Sequence, residues 1–280
     1  MGMLLPSERA VSAGGEKSVP ANTVVEEASG TGRAEPSLRE VVSSAGYEPV
    51  ERWAWNGYKT SIIALAQKYG LKRLLEIGGG RHPLFTPEEA KSYGFEMTIN
   101  DISPAELENM KTPLFKTACF DIAGDVPAAN EGAFDLMYSR MVFEHVRDVE
   151  RAWSNIYRLL TPGGVAIAFY PTLYALPFVV NRLIPESASS KIVSMLYPAR
   201  EEKDEPKFPA YYDRCYGSES RVEPTLRRIG FRDTAVLPFY GHSYFKKIPV
   251  AREIDAALSN LARRRNFTPL AAYAYAIVRK

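Results

Sequence analysis

The sequence has few covalent or metal staples. Its 280 residues include two cysteines, Cys119 and Cys215. That excludes a disulfide framework and offers no metal-ligand spacing, so a reducing, cytoplasmic setting is expected. No apolar run is long enough to span a bilayer. The most apolar stretch, 164–180, is roughly 17 residues and is broken by Pro171 and Pro177, whereas a spanning helix needs about 20. Charge of one sign is not in excess either. The formal net charge of +2 gives no global drive toward nucleic acid. The densest basic cluster, Arg263, Arg264 and Arg265, reads as a solvated helix end matched to the helix dipole. The N-terminus lacks the basic and apolar regions of a secretory signal. It also misses the myristoylation pattern, because Pro6 stands where Ser or Thr is needed. No internal repeat is visible.

What is present is enough apolar material, 46% of residues, for one domain with a real core. Residues 1–38 are rich in Gly, Ser, Ala, Glu and Pro without apolar period, and are expected to form a disordered tail. Residues 39–280 are expected to form the domain. "VERWAWNGYKTSIIALAQKYG" carries helix-like apolar intervals and stops at Gly70. Strands and helices then alternate. "KRLLEIG", "FEMTIND", "PLFKTACFD", "AFDLMYS" and "VAIAFY" read as five strands, with a helix over about 148–160 ended by "TPGG". A helix in "SRVEPTLRRIGF" has Ser220 and Glu223 at capping-box spacing. "RDTAVLPFYG" and "AAYAYAIVRK" supply two more strands, with a helix in "AREIDAALSNLARRR" between them. The expectation is an α/β fold whose mostly parallel sheet carries helices on both faces. Residues 171–217 break the rhythm after the fifth strand and read as an insertion, a substrate lid.

In such sheets ligands bind beyond the carboxyl ends of the strands. Gly78, Gly79 and Gly80 follow the first strand, where a bare backbone permits positive φ and close approach of a ligand. Asp101 ends the second strand roughly 23 residues after Gly78, the place for a carboxylate that accepts both ribose hydroxyls. A nucleoside pocket follows, and phosphate does not. The dinucleotide fingerprint needs a third glycine where Pro83 stands, and proline has no N–H to offer. The Walker pattern is absent. Glu76, two residues before the glycines, repels a pyrophosphate and suits a cationic ligand such as S-adenosylmethionine. Ile102 beside Asp101, and Asp121 between Phe120 and Ile122, supply an adenine acceptor and apolar walls. Ser139 is placed to meet the methionine portion.

"LLEIGGGRHP", "NDIS", "CFDI", "YSRMVFEHVRD" and "RLLTPGG" resemble, in order, the motifs of class I S-adenosylmethionine-dependent methyltransferases of the small-molecule group with "EHV" after the fourth strand and "PGG" before the fifth. The resemblance covers about 71–170 and resumes in the terminal strands. It implies a Rossmann-like seven-stranded sheet with an antiparallel last strand. It also implies Glu76, Gly78, Gly80, Asp101 and Asp121 as cofactor contacts. His82 departs from the family, which usually has a small residue there.

Methyl transfer needs alignment, and a base only where the acceptor must lose a proton. The candidates for such a base are His145, Glu144 and His82. Arg140, Tyr211, Tyr212 and Arg214 are candidate acceptor contacts. The fourth strand end lacks the motif of amino-methylating DNA enzymes and the carboxylates of metal-dependent catechol-type enzymes. The expectation is therefore a metal-independent O-methyltransferase acting on a small-molecule, sugar or lipid-linked acceptor. A nicotinamide-dependent oxidoreductase, and a non-catalytic membrane-peripheral module using Pro171 to Pro198, are the alternatives. The oligomeric state is left open.

Overall fold

A computed structural model describes residues 35–111, 114–173, 209–243, 245 and 249–280. Seven strands make one sheet in the order β3-β2-β1-β4-β5-β7-β6. They are β1 (Arg73–Ile77), β2 (Glu96–Asp101), β3 (Lys116–Cys119), β4 (Phe134–Arg140), β5 (Leu160–Pro171), β6 (Asp233–Phe239) and β7 (Tyr273–Arg279). The first five are parallel, and β7 runs antiparallel between β5 and β6. This is the expected seven-stranded Rossmann-like sheet. The chain winds outward from β1 to β3, then returns to place β4 on the other side of β1. The crevice at the carboxyl ends of β1 and β4 is therefore the topological switch point.

Period-two alternation sends neighbouring strand residues to opposite cores. On one face α1 (Leu38–Ser44), α2 (Glu51–Asn56), α3 (Tyr58–Tyr69) and α4 (Pro87–Tyr93) cover Leu74, Ile99, Leu136, Ile167 and Tyr275. On the other, α6 (Val149–Leu159) and α7 (Glu219–Ile229) cover Leu75, Ile77, Met137, Ala166 and Val236. The short α5 (Pro104–Glu108) follows β2, and α8 (Pro249–Arg264) lies between β6 and β7.

Local differences from the sequence reading have physical causes. The domain begins with α1, whose N-cap Ser37 forms a capping box with Glu40 and whose Leu38 is fully buried. The helix expected over 50–70 is two helices meeting at Gly57. There the Trp53 ring lies so close that an added Cβ would fall 2.4 Å from it. Gly70 does end the second of them, in left-handed conformation. "TPGG" lies inside β5, where the register with β4 shifts, and not in a turn after the helix. The N-cap of α7 is Ser218, and Glu223 pairs with Arg227 instead of closing a capping box. Most of the expected lid, 174–208, lies outside the described residues, as do 1–34 of the expected tail.

Tyr58 locks α3 to the sheet at the site end. Its buried hydroxyl lies 2.6 Å from the Ser139 carbonyl and 3.0 Å from the Ile167 carbonyl, bridging β4 and β5. Tyr58→Phe removes that donor from two buried acceptors. It is expected to cost on the order of 1–3 kcal/mol of unfolding free energy in urea titration.

Candidate active site at the carboxyl ends of β1, β2 and β4

The loop after β1 is built by its own hydrogen bonds. Gly78 and Gly80 have φ of 67° and 47°, conformations that a side chain rarely adopts. Side chains are also excluded by contact. A Cβ on Gly78 would lie 2.5 Å from the Val142 methyl, and one on Gly80 would lie 3.0 Å from Asp101 Oδ2. Three of the loop amides are committed internally: Gly79 N–H donates to the Asn100 carbonyl, His82 N–H to the Gly79 carbonyl, and Leu84 N–H to the Glu76 carboxylate. Pro83 has none. The carboxylates of Asp101 and Glu106 flank Gly80. The arrangement disfavours a pyrophosphate and suits a cationic nucleoside.

Glu76 is buried beneath this loop. Its carboxylate accepts the Leu84 N–H at 2.9 Å and the Tyr138 O–H at 2.9 Å. Burial pushes the carboxyl up to about 7, opposed by those two hydrogen bonds and by the charges of Arg140 and Lys59. Asp101, at the tip of β2, is half-buried. Burial and then the neighbouring Glu106 raise its pKa against the hydrogen bond from Ser103 N–H at 2.9 Å. Ile102 beside it is an exposed apolar side chain. Asp121 is exposed just past β3, its Oδ1 accepting the Ala123 N–H at 2.9 Å, between buried Phe120 and Ile122.

The tip of β4 carries the second half of the site. Ser139 is buried and its Oγ has no hydrogen-bond partner. Arg140 follows at partial exposure. Met141 then takes a left-handed φ of 57°, an unfavourable conformation for an unbranched side chain that tends to mark functional turns. This turn carries Val142 onto Gly78. The 3-10 turn Phe143–His145 comes next. Glu144 is buried with Oε2 unpartnered, and burial pushes its carboxyl up to about 8. His145 Nδ1 lies 3.0 Å from the Pro209 carbonyl, which can only accept, so Nδ1 carries the proton and Nε2 is the basic nitrogen. Nε2 lies 3.9 Å from Glu144 Oε1.

The structure brings together Glu76, Gly78, Gly79, Gly80, Asp101 and the β4 tip. His82 is exposed on the outer part of the glycine loop. Tyr211, Tyr212 and Arg214 gather around the 3-10 turn and the start of α6. Tyr211 and Tyr212 N–H groups donate to the Glu144 carbonyl, the Tyr211 hydroxyl accepts from Arg147, and Arg214 pairs with Glu150. Asp213 accepts the Val149 N–H and so caps α6. In these contacts the segment anchors the end of the insertion to the domain.

Three supporting residues escaped the sequence reading. Asn100 donates to the Ala118 and Phe120 carbonyls, which aligns the tips of β2 and β3. Tyr138 holds Glu76. Arg81 grips Glu106 through two hydrogen bonds, tying the loop to α5. A polar residue inside an otherwise apolar strand was the available signal for the first two.

A glycine-lined crevice at the switch point, with a carboxylate on the neighbouring strand, lies where open α/β sheets bind their ligands. Residues 51–182 match the model of a methyltransferase domain family. No curated protein matches the chain significantly. Similar solved structures include a S-adenosylmethionine-dependent methyltransferase from Archaeoglobus fulgidus, at 17% identity over 82% of this chain and 97% of that one, TM-score 0.47. Phosphoethanolamine N-methyltransferase 2 of Haemonchus contortus is 16% identical over 88% of this chain and 60% of that one, TM-score 0.47. Human N-acetylserotonin methyltransferase is 18% identical over 87% and 56%, TM-score 0.43. The match to the methyltransferase-domain model covers just under half of the chain.

The burial of Glu144 has a measurable consequence. Unfolded, its carboxyl titrates near 4.5; folded, it holds its proton to about 8. Between those values the folded state binds the extra proton, so this group makes stability fall as pH rises through the window. Glu144→Gln keeps the shape without the charge. Thermal denaturation is expected to show the variant several degrees more stable than the parent at about pH 8.5 and little changed at about pH 5.

Proposed function

We propose that the protein methylates an oxygen of a small-molecule, sugar or lipid-linked acceptor without a metal. The observation that carries this reading is the juxtaposition of the glycine loop, its left-handed Gly78 and Gly80 closed to side chains, with Asp101 and the unpartnered Ser139 hydroxyl. S-adenosylmethionine supplies an activated methyl group on a cationic sulfur, ready for in-line displacement. On this reading Asp101 accepts the two ribose hydroxyls, while Ile102, Phe120 and Ile122 wall the adenine and Asp121 accepts its amino group. Gly78 lets the cofactor approach the main chain. Glu76 favours the cation and fixes the loop that receives it. Ser139 Oγ faces a choice between an orphaned burial and a polar partner, and the methionine portion offers one.

His145 is the base in this reading. Its tautomer leaves Nε2 able to take the acceptor's proton, with Glu144 alongside. His82 is the remaining candidate, on the exposed part of the loop. Arg140 is placed to meet a polar or anionic group of the acceptor. Tyr211, Tyr212 and Arg214 border the acceptor side through the anchored insertion. The β4 tip offers Ser139 and Arg140, not the carboxylates that a divalent cation needs, which is the reason for reading the reaction as metal-independent. A reducing, cytoplasmic setting is part of the same reading.

Asp101→Ala is expected to weaken cofactor binding by on the order of 2–4 kcal/mol, the loss of two charge-assisted hydrogen bonds, in titration calorimetry. Asp101→Asn, which keeps an acceptor for Ser103 N–H, separates ribose recognition from loop folding. Unchanged affinity in both variants means the ribose is held elsewhere. With an acceptor identified by a methyl-labelling screen of extracted metabolites and glycolipids, His145→Ala is expected to lower turnover about 10²-fold or more. Cofactor affinity should stay nearly intact. Full activity in that variant moves the proton transfer to His82 or removes the need for it.

A further inference from the structure

The helix α8 is turned inside out relative to an ordinary surface helix. A helix packed on a globular core buries its apolar stripe and shows its charges to water. Here the buried residues, among those described, are Asp255 and Ala262. Asp255 Oδ1 lies 2.9 Å from Nε2 of the buried His242 side chain, and Ala262 packs with Tyr240 and Ala271. The large apolar side chains point outward instead: Val250 is 73% exposed, Ile254 56%, Leu258 39% and Leu261 54%. Their spacing places them on one side of the helix, a ridge of about 16 Å at 1.5 Å per residue. Just beyond its end Phe267 is 51% exposed.

The charge left without an ion pair beside this ridge has one sign. Arg263, Arg264 and Arg265 are all exposed at its end, and none has an ion-pair partner among the described residues. The acids of α8 are Glu253 and Asp255. Glu253 is paired with Arg252 at 2.8 Å, and Asp255 faces inward to His242. A second copy docked through this face would therefore bring three arginines and no free carboxylate to meet them. An anionic bilayer surface supplies both an apolar layer for the ridge and negative charge for the arginines. No helix among the described residues is long and apolar enough to cross a membrane, and the 16 residues of α8 include charged ones. Such a helix lies in the interface plane rather than across it.

We infer that α8 is an interfacial helix that docks the protein on anionic lipid surfaces through Val250, Ile254, Leu258 and Leu261, with Arg263–Arg265 selecting negative charge. Its placement suits the fold. α8 is held by Tyr240, one residue past β6, and Ala271, two before β7, and β7 begins opposite Pro171 at the carboxyl end of β5. This is the same end of the sheet that carries Gly78–Gly80 and Asp101, so docking brings the site-bearing end to the lipid.

The test is sedimentation of the full chain with vesicles of phosphatidylcholine alone, or with a minority of phosphatidylserine. The parent protein is expected to pellet with the anionic vesicles, less so as salt rises. Ile254→Glu with Leu258→Glu together should weaken that binding tenfold or more. Replacing Arg263, Arg264 and Arg265 by Gln should remove the preference for phosphatidylserine, on the order of fivefold per arginine. Both variants alter exposed positions, so their melting temperatures and their affinity for S-adenosylmethionine should match the parent. Those two controls separate this inference from the cofactor reading. No pelleting of the parent with anionic vesicles, or equal pelleting of the glutamate variant, overturns it. So does a concentration-dependent dimer in analytical ultracentrifugation that the glutamate substitutions dissolve, which assigns the ridge to a second copy.

Discussion

The site depends on one buried carboxylate. Glu76 sits at the end of β1 beneath the glycine loop, and its oxygens are used by Leu84 N–H and Tyr138 O–H. Burying a charge is costly unless donors replace water, and these two donors come from the far end of the loop and from β4. Satisfying Glu76 thus requires that loop, first strand and fourth strand close together. Burial still pushes its carboxyl up to about 7, so the pin is tightest when the group is ionised and its donors are in place.

From that pin outward the site is assembled at the point where the strand order reverses. Asn100 aligns β2 with β3, Arg81 binds the loop to α5, and Tyr58 joins α3 to the ends of β4 and β5. These are hydrogen-bonded clamps that fix the strand tips relative to one another. Two of the buried groups without a partner lie just past those clamps, Ser139 Oγ and Glu144 Oε2. Asn100 and Glu76 are satisfied, while these two at the tip of β4 are left for a partner. The left-handed Met141 lies between them, in keeping with strain gathered at functional turns.

Much of this was legible from order and spacing. Alternating strands and helices fixed the parallel sheet, since a buried parallel strand must be apolar on both faces. Gly78, Gly80 and Asp101 could be placed because positive φ and a strand-end carboxylate are local requirements. The capping of α7 was misread because Ser218 and Ser220 are both chemically able to cap, and only the path of the preceding chain chooses between them. The split at Gly57 was hidden because its cause is the ring of Trp53 lying against it, a contact that composition does not record. Tyr211, Tyr212 and Arg214 were placed near the acceptor on residue type. Their contacts with Glu144, Arg147 and Glu150 are long-range, and depend on how the insertion returns to α6.

The sequence by itself determined the class of fold and the place of the glycine loop and its strand-end carboxylate, because those follow from backbone freedom and apolar period along short stretches. Tertiary structure alone decided which polar groups are satisfied and which are left exposed to a partner. Glu76 is a pin because Tyr138 and Leu84 reach it, His145 has its basic nitrogen because Pro209 takes the other, and α8 shows its apolar side because His242 receives Asp255. Each of these depends on residues distant in the chain meeting at hydrogen-bond range, and sequence spacing carries no measure of that distance.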